Sequence, residues 1–301
     1  MPDWLTISDE VRAAIAAKRP VVALESTLIA HGLPWPVNLE TAREAESAVR
    51  AVGAVPATIA VLSGVPTVGL TDSQLQDLAQ LPNVRKASRR DLGAAVALKQ
   101  FAATTVSATM ALARAAGIRV FATGGIGGAH TGTEPFDISA DLTELARTPV
   151  LVVCAGAKSI LHLPRTLEIL ETLGVPVVGY RTDAFPAFYV RDHAPPLPVS
   201  ARVDSPRDAA TLFSAHVRMG GSGAVLAQPC PAEVAVPEAD FDRWLAEAGT
   251  DALAAGVTGA RVTPFLLSRL AELSGGKTLA ANRALIVANA RLAAEVAVAL
   301  V

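Results

Sequence analysis

The sequence predicts an α/β fold with a mostly parallel sheet covered by helices on both sides. Three observations predict it. Short apolar runs alternate along the chain with alanine-rich segments of helical spacing. Several of those runs are continuous, Val150-Leu151-Val152-Val153-Cys154 above all, as in strands buried on both faces. Hydrophobic residues make up 51% and charged residues 18% of the 301, enough apolar surface for a large core.

Taken in order, Val21–Leu24 reads as a strand and 38–52 as a helix with charges between apolar positions. Pro56–Leu62 is a strand ended by Ser63-Gly64. A helix around Ser73–Gln80 and a helix or turn near 91–99 follow. Helix Val106–Ala116 leads into strand Val120–Thr123 and the turn Gly124-Gly125-Ile126-Gly127-Gly128. Strand Val150–Cys154, helix Pro164–Leu173 and strand Val177–Tyr180 form a further αβ run. Helix Pro206–Met219 and strand Ala224–Ala227 come next. Helices around 241–255, 263–274 and 280–300 close the chain. No linker or internal repeat divides it, so residues 1–301 read as a single domain, with Ala194–Pro198 as a surface loop.

Aromatic residues are only 4% of the chain and the net charge is −2, so there is neither a stacking platform nor a basic face for nucleic acid. Cys154 and Cys230 make no bridge framework, and Cys154 reads as a buried strand thiol. The start, Met1-Pro2-Asp3-Trp4-Leu5, lacks a signal-peptide pattern, and no run nears the roughly 20 apolar residues of a membrane span. The expectation is a soluble, cytoplasmic protein with a small-molecule substrate and neither nucleic-acid nor membrane partners.

The most informative feature is Lys158, which follows the strand 150–154 and the tight turn at Gly156. Ligands of open α/β sheets bind at the carboxyl ends of strands. Ser159 is read as opening a helix, so Lys158 would lie near a helix N-terminus in apolar surroundings. Both lower an amine's pKa and favour Schiff-base chemistry with a carbonyl. Glu25 also follows a buried strand, and reads equally as a general acid or as a capping carboxylate.

The glycine-dense turn 124–128, with His130 beside it, reads either as an anion seat or as a plain turn; its spacing is neither a dinucleotide fingerprint nor a P-loop. Phe136-Asp137-Ile138-Ser139-Ala140-Asp141 sets two carboxylates four residues apart. That spacing suits a hard divalent cation, or a helix start with Ser139 as cap and Asp141 in the first turn. Lys86-Ala87-Ser88-Arg89-Arg90-Asp91 is a basic cluster a phosphate would favour, or a solvated loop. The hydroxyl-rich helix start 103–109 is a second anion seat. Asn282 either reaches a site or is a plain helix polar residue.

These segments together resemble the indigoidine-synthase-A-like family of pseudouridine-5′-phosphate glycosidases, also called pseudouridylate synthases. The likeness runs in one order from about residue 20 to the C-terminus. It is carried by Val21–Thr27 with His31-Gly32, by 53–60, Ser88–Leu92, Phe121–Gly128, 136–142, Val152–Ile160, Thr263-Pro264-Phe265-Leu266-Leu267 and the last helix. The stretches around His162 and His193 and the loop 191–198 are less alike.

The resemblance implies a three-layer α/β/α sandwich and a homotrimer. It implies reversible cleavage of the C–C glycosidic bond of pseudouridine 5′-phosphate to uracil and ribose 5-phosphate, an activity of the carbon–oxygen lyase class. Lys158 falls on the Schiff-base nucleophile and Glu25 on the proton donor. Asp137 falls on the position holding one Mn²⁺, or another divalent cation, largely through water. Ser139, Ala140 and Asp141 fall on substrate contacts, Lys86 and Val106 on phosphate-side contacts, and His130 and Asn282 on further polar site positions. The other readings are a lyase acting on another ribosyl phosphate and a non-catalytic ribosyl-phosphate-binding protein.

Overall fold

The computed structural model describes residues 2–131, 137–191, 193–257 and 262–301; Phe136 of the 136–142 segment and Asp192 of the 191–198 loop lie outside them. In chain order the strands are β1 (Thr6–Ile7), β2 (Val21–Leu24), β3 (Val55–Leu62), β4 (Val65–Val68), β5 (Arg85–Ala87), β6 (Ala102–Thr104), β7 (Val120–Ala122), β8 (Leu151–Cys154), β9 (Val177–Tyr180), β10 (Ala201–Val203) and β11 (Ala224–Ala227). The helices are α1 (Asp9–Ala16), α2 (Val37–Ala51), α3 (Asp72–Gln80), α4 (Leu92–Ala97), α5 (Val106–Ala116), α6 (Ala140–Leu145), α7 (Leu163–Thr172), α8 (Pro206–Arg218), α9 (Glu238–Ala254), α10 (Val262–Leu273) and α11 (Lys277–Ala299). A π-helical turn spans Leu28–Gly32.

The strands run β1-β4-β3-β2-β7-β8-β11-β9-β10, with β6 also on β3 and β5 on β6. From β3 through β2, β7, β8, β11 and β9 to β10 every pairing is parallel. Every residue of β2, β7, β8, β9 and β11 is buried, because helices cover both faces. α11 packs with α2 and α8 over β2, β7 and β8, while α5 and α6 pack together beside β2, β3 and β4. The result is the expected three-layer α/β/α sandwich. No helix of the described residues is long and apolar enough to cross a membrane.

β3 joins two regions. Val55–Thr58 pairs parallel with β2, whereas Ile59–Leu62 pairs antiparallel with β4 and partly with β6. Buried hydroxyls tie that junction: Ser26 Oγ and Thr104 Oγ1 donate to the Ile59 carbonyl at 2.6 and 2.7 Å.

Capping explains several helix starts. Thr71 and Gln74 form a reciprocal capping box on α3, and Ser205 caps α8 ahead of Pro206. The short strands β1, β4, β5, β6 and β10 and helix α1 lie outside the sequence expectation, and the basic cluster begins on β5.

One expectation is corrected. Ser159 does not open a helix: residues 159–160 form a turn, and α7 begins at Leu163 with the His162 ring as its cap. Lys158 is therefore not at a helix N-terminus. Pro164, the second residue of α7, has no N–H to lose there, which favours the later start.

Candidate active site

Parallel strands that end side by side set the site. Glu25 follows β2, Thr123 follows β7 and Lys158 lies four residues past β8, so all three emerge at one edge of the sheet. The chain beyond β8 stays paired with the glycine turn. Ala155 N–H donates to Gly124 O at 2.9 Å, Ile126 N–H to Gly156 O at 3.0 Å, and Lys158 N–H to Ile126 O at 3.2 Å. This pairing fixes the Lys158 backbone. The turn at Gly156 has φ +84°, and a Cβ there would lie 1.9 Å from the Pro186 carbonyl oxygen, so only glycine fits.

The other glycines, read from the sequence as an anion seat or a plain turn, let neighbouring segments approach closely. A Cβ at Gly127 would lie 2.3 Å from Ser139 Oγ, and one at Gly125 2.6 Å from the Phe188 ring. Several N–H groups of the stretch are already bonded: Ile126 to Gly156, Gly127 to Asp141, and Ala129 to Thr166 Oγ1. The turn is glycine-dense mainly so that four elements can close upon it. Asn289 of α11, itself buried, fastens the start of the turn by donating to Thr123 O at 2.8 Å.

A cavity of about 340 Å³ opens at this edge, and Glu25, Lys86, Val106, His130, Ser139, Ala140, Asp141, Lys158 and Asn282 all line it. Asp137 is the sequence-predicted residue outside that lining. The Glu25 side chain is buried, and the hydroxyls of Thr27 and Thr123 each donate to one of its oxygens. It is held in place by its neighbours and caps no helix.

Asp141 takes the helix-start reading. Ser139 caps α6 with a bond from Asp141 N–H, and Asp141 lies in the first turn. Buried, its carboxylate accepts from Ser107 N–H at 3.0 Å and Gly127 N–H at 2.9 Å, tying α5, α6 and the glycine turn together.

Asp137 has a side chain 59% exposed, with Oδ1 3.1 Å from His130 Nδ1. No group of three or more His, Cys, Asp or Glu side chains converges among the described residues. A lone, solvated carboxylate fits a hard dication that keeps most of its water, and does not fit a cage of protein ligands.

The basic cluster divides its charges. Arg85 pairs with Asp91, and Arg89 with the fully buried Glu144, which also takes Arg147. Lys86 and Arg90 face the cavity instead, with Ser88, Thr105 and the Val106 end of α5. Burial and the nearby Lys158 charge hold the Lys86 pKa below the ordinary lysine value. His31, on the π-helical turn, also lines the cavity; burial first and Lys86 second push its pKa below the usual histidine value.

Sequence reasoning assigned no individual role to His31, Phe188 or Leu267, and read Arg90 only within the basic cluster that a phosphate would favour; all four line the cavity. His31-Gly32 and Arg90 lay within segments it singled out, whereas Phe188 carries no chemical signal and is found only through packing.

The fold and this strand-end cavity define an α/β protein laid out as an enzyme. The chain belongs to the indigoidine synthase A like family, whose sequence profile, described as "Indigoidine synthase A like protein", matches residues 10–299. The pseudouridine-5′-phosphate glycosidase of Solibacter usitatus is 54% identical over 97% of this chain and 98% of its own length. That of Herpetosiphon aurantiacus is 55% identical over 98% of both chains. Among solved structures, the prealnumycin C-glycosynthase AlnA in complex with ribulose 5-phosphate superposes with a TM-score of 0.90, at 44% identity, over 99% of this chain and 98% of its own. An indigoidine synthase A (IdgA)-like protein from Thermotoga maritima superposes with a TM-score of 0.88, at 34% identity, over 99% and 97%.

Proposed function

We propose that this protein is a pseudouridine-5′-phosphate glycosidase that reversibly cleaves the C–C glycosidic bond to uracil and ribose 5-phosphate. The observation that carries the reading is the meeting of Lys158 and Glu25 in one cavity that Lys86 and Arg90 also line. Relatives above 50% identity that bear this name support it.

Lys158 Nζ attacks C1′ as the C1′–O4′ bond breaks, and Glu25 supplies the proton to O4′. The nitrogen lone pair then forms the C=N bond while the C1′–C5 electron pair passes to the uracil ring, whose C5 takes up a proton. Glu25, reloaded, provides that proton. Water hydrolyses the iminium, freeing Lys158 and the aldehyde of ribose 5-phosphate. Lys86, Arg90 and the Val106 N–H at the start of α5 hold the 5′-phosphate.

A Mn²⁺ or similar cation held through water at Asp137 would offset the charge of the sugar phosphate. The same reading carries a homotrimer working in the cytoplasm.

One observation favours a second reading of the nucleophile: Lys86 also lines the cavity, and burial with the neighbouring Lys158 charge pushes its amine toward the neutral form. A trapping experiment separates them. Incubation with ribose 5-phosphate, borohydride reduction and peptide mapping place a pentose-phosphate adduct on Lys158. An adduct on Lys86 would exchange the roles of the two lysines. Binding of ribose 5-phosphate with no adduct on either would remove covalent catalysis from the proposal.

A further inference from the structure

The cavity has two unlike ends. Lys86, Ser88, Arg90 and the start of α5 make one; Phe188, Leu267 and Ile286, with the Asn282 amide, make the other. The glycine turn runs between them, since a Cβ on Gly127 would meet Ser139 and Asp141, and one on Gly124 would meet Ile286 and Phe188. On the functional reading above, the phosphate occupies the cationic end. C1′ then faces Lys158, and the heterocycle lies at the apolar end.

Adjoining the cavity at Leu267 and Asn282, and at His31 beside Lys86, is a second cavity, also of about 340 Å³. The two share His31, Gly32, Leu33, Leu267 and Asn282 as lining, so they adjoin along the π-helical turn, α10 and α11. The remaining lining is largely apolar, with Pro34, Tyr189, Ala271 and Leu279, plus the hydroxyls of Ser268 and Thr278. Apolar cavities of this size are where apolar ligand groups lodge.

We propose that this second cavity is an annex of the base subsite that accepts an apolar substituent on the heterocycle, so that pyrimidinediones larger than uracil serve as aglycones. In the synthetic direction C5 of such a base attacks the Lys158-bound iminium and loses its proton. O4′ then closes on C1′ and releases the lysine. A substituent at N1 or N3 leaves C5 free for this step and extends past Asn282 and His31 into the annex.

The test incubates the enzyme with ribose 5-phosphate and uracil, 1-benzyluracil or 3-benzyluracil, and quantifies the C-glycosides by mass spectrometry. The expected result is product from at least one benzylated base. Ala271→Phe, which fills the annex, lowers the benzyluracil-to-uracil product ratio about tenfold or more, and Leu279→Ala, which widens it, raises the ratio. Using the ratio cancels any loss of folded protein. Reaction with uracil but neither benzylated base, or a ratio unmoved by both substitutions, would overturn the annex. Failure with uracil itself would instead strike the functional reading.

Discussion

Glu25 has its two carboxylate oxygens held by two hydroxyls, from Thr27 on its own loop and Thr123 on the next strand's. A glutamine keeps one acceptor oxygen and turns a donor toward the other threonine, so Glu25→Gln loses both the proton and half of the clamp. We expect kcat for pseudouridine 5′-phosphate cleavage to fall roughly 10²- to 10⁴-fold. Free ribose 5-phosphate opens without assistance, so the borohydride-trapped adduct should persist in this variant; steady-state rates beside trapping yields check both. At Asp137, the exposed carboxylate beside His130 leads us to expect that EDTA treatment depresses activity and added Mn²⁺ restores it. Asp137→Ala should abolish the restoration, which a titration of rate against Mn²⁺ reads directly.

Among elements, α2 contributes a buried-side carboxylate, Glu46, that accepts a hydrogen bond from Thr58 of β3 at 2.6 Å. Burial, the dominant cause, raises its pKa despite that bond. A carboxyl whose folded pKa is raised stabilises the fold fully at pH below the unfolded value, and that contribution is lost as pH climbs through the folded value. Glu46→Gln keeps the acceptor for Thr58 and removes the charge. Its Tm should exceed that of the wild type near pH 7, with the gain shrinking toward pH 4, as thermal melts across that range will measure.

The long buried strands and the helices with amphipathic spacing were legible in the sequence because burial and period leave a direct imprint: α5, β9 and β11 coincide with their expected bounds. The strands that escaped, such as β5 and β10, are three residues long and partly exposed, too short for any period to register. Ser159 was misread as a helix opener because its side chain suits a cap, whereas α7 starts within one residue of its expected bound and its cap is His162. In the site, Lys158 and Glu25 stood out as charges at the ends of apolar strands. The glycine run was read as an anion seat or a plain turn, and the close packing by Phe188 and Ser139 that requires glycine there comes from distant segments. Phe188 in the cavity wall was invisible for the same cause, while Leu267 lies in a segment that carried the resemblance without a role of its own.

For the whole molecule, the edge that carries the candidate site is a product of parallel pairing. Glu25 and Thr123 are 98 residues apart in the chain yet bonded, and Lys158 is positioned only when the segment after β8 lies along the glycine turn. Parallel pairs require a crossover for every contact, and ordering such distant segments is slow relative to helix formation. Helices α5 and α11 can therefore gain most of their structure before any competent site exists. In refolding from denaturant, far-UV circular dichroism should recover first and the capacity to be trapped by ribose 5-phosphate and borohydride last. Superimposable time courses for the two signals would contradict this order. The lysine is thus a clock for the final pairing of the sheet: a population folded by helix content can still contain no molecule able to capture a sugar.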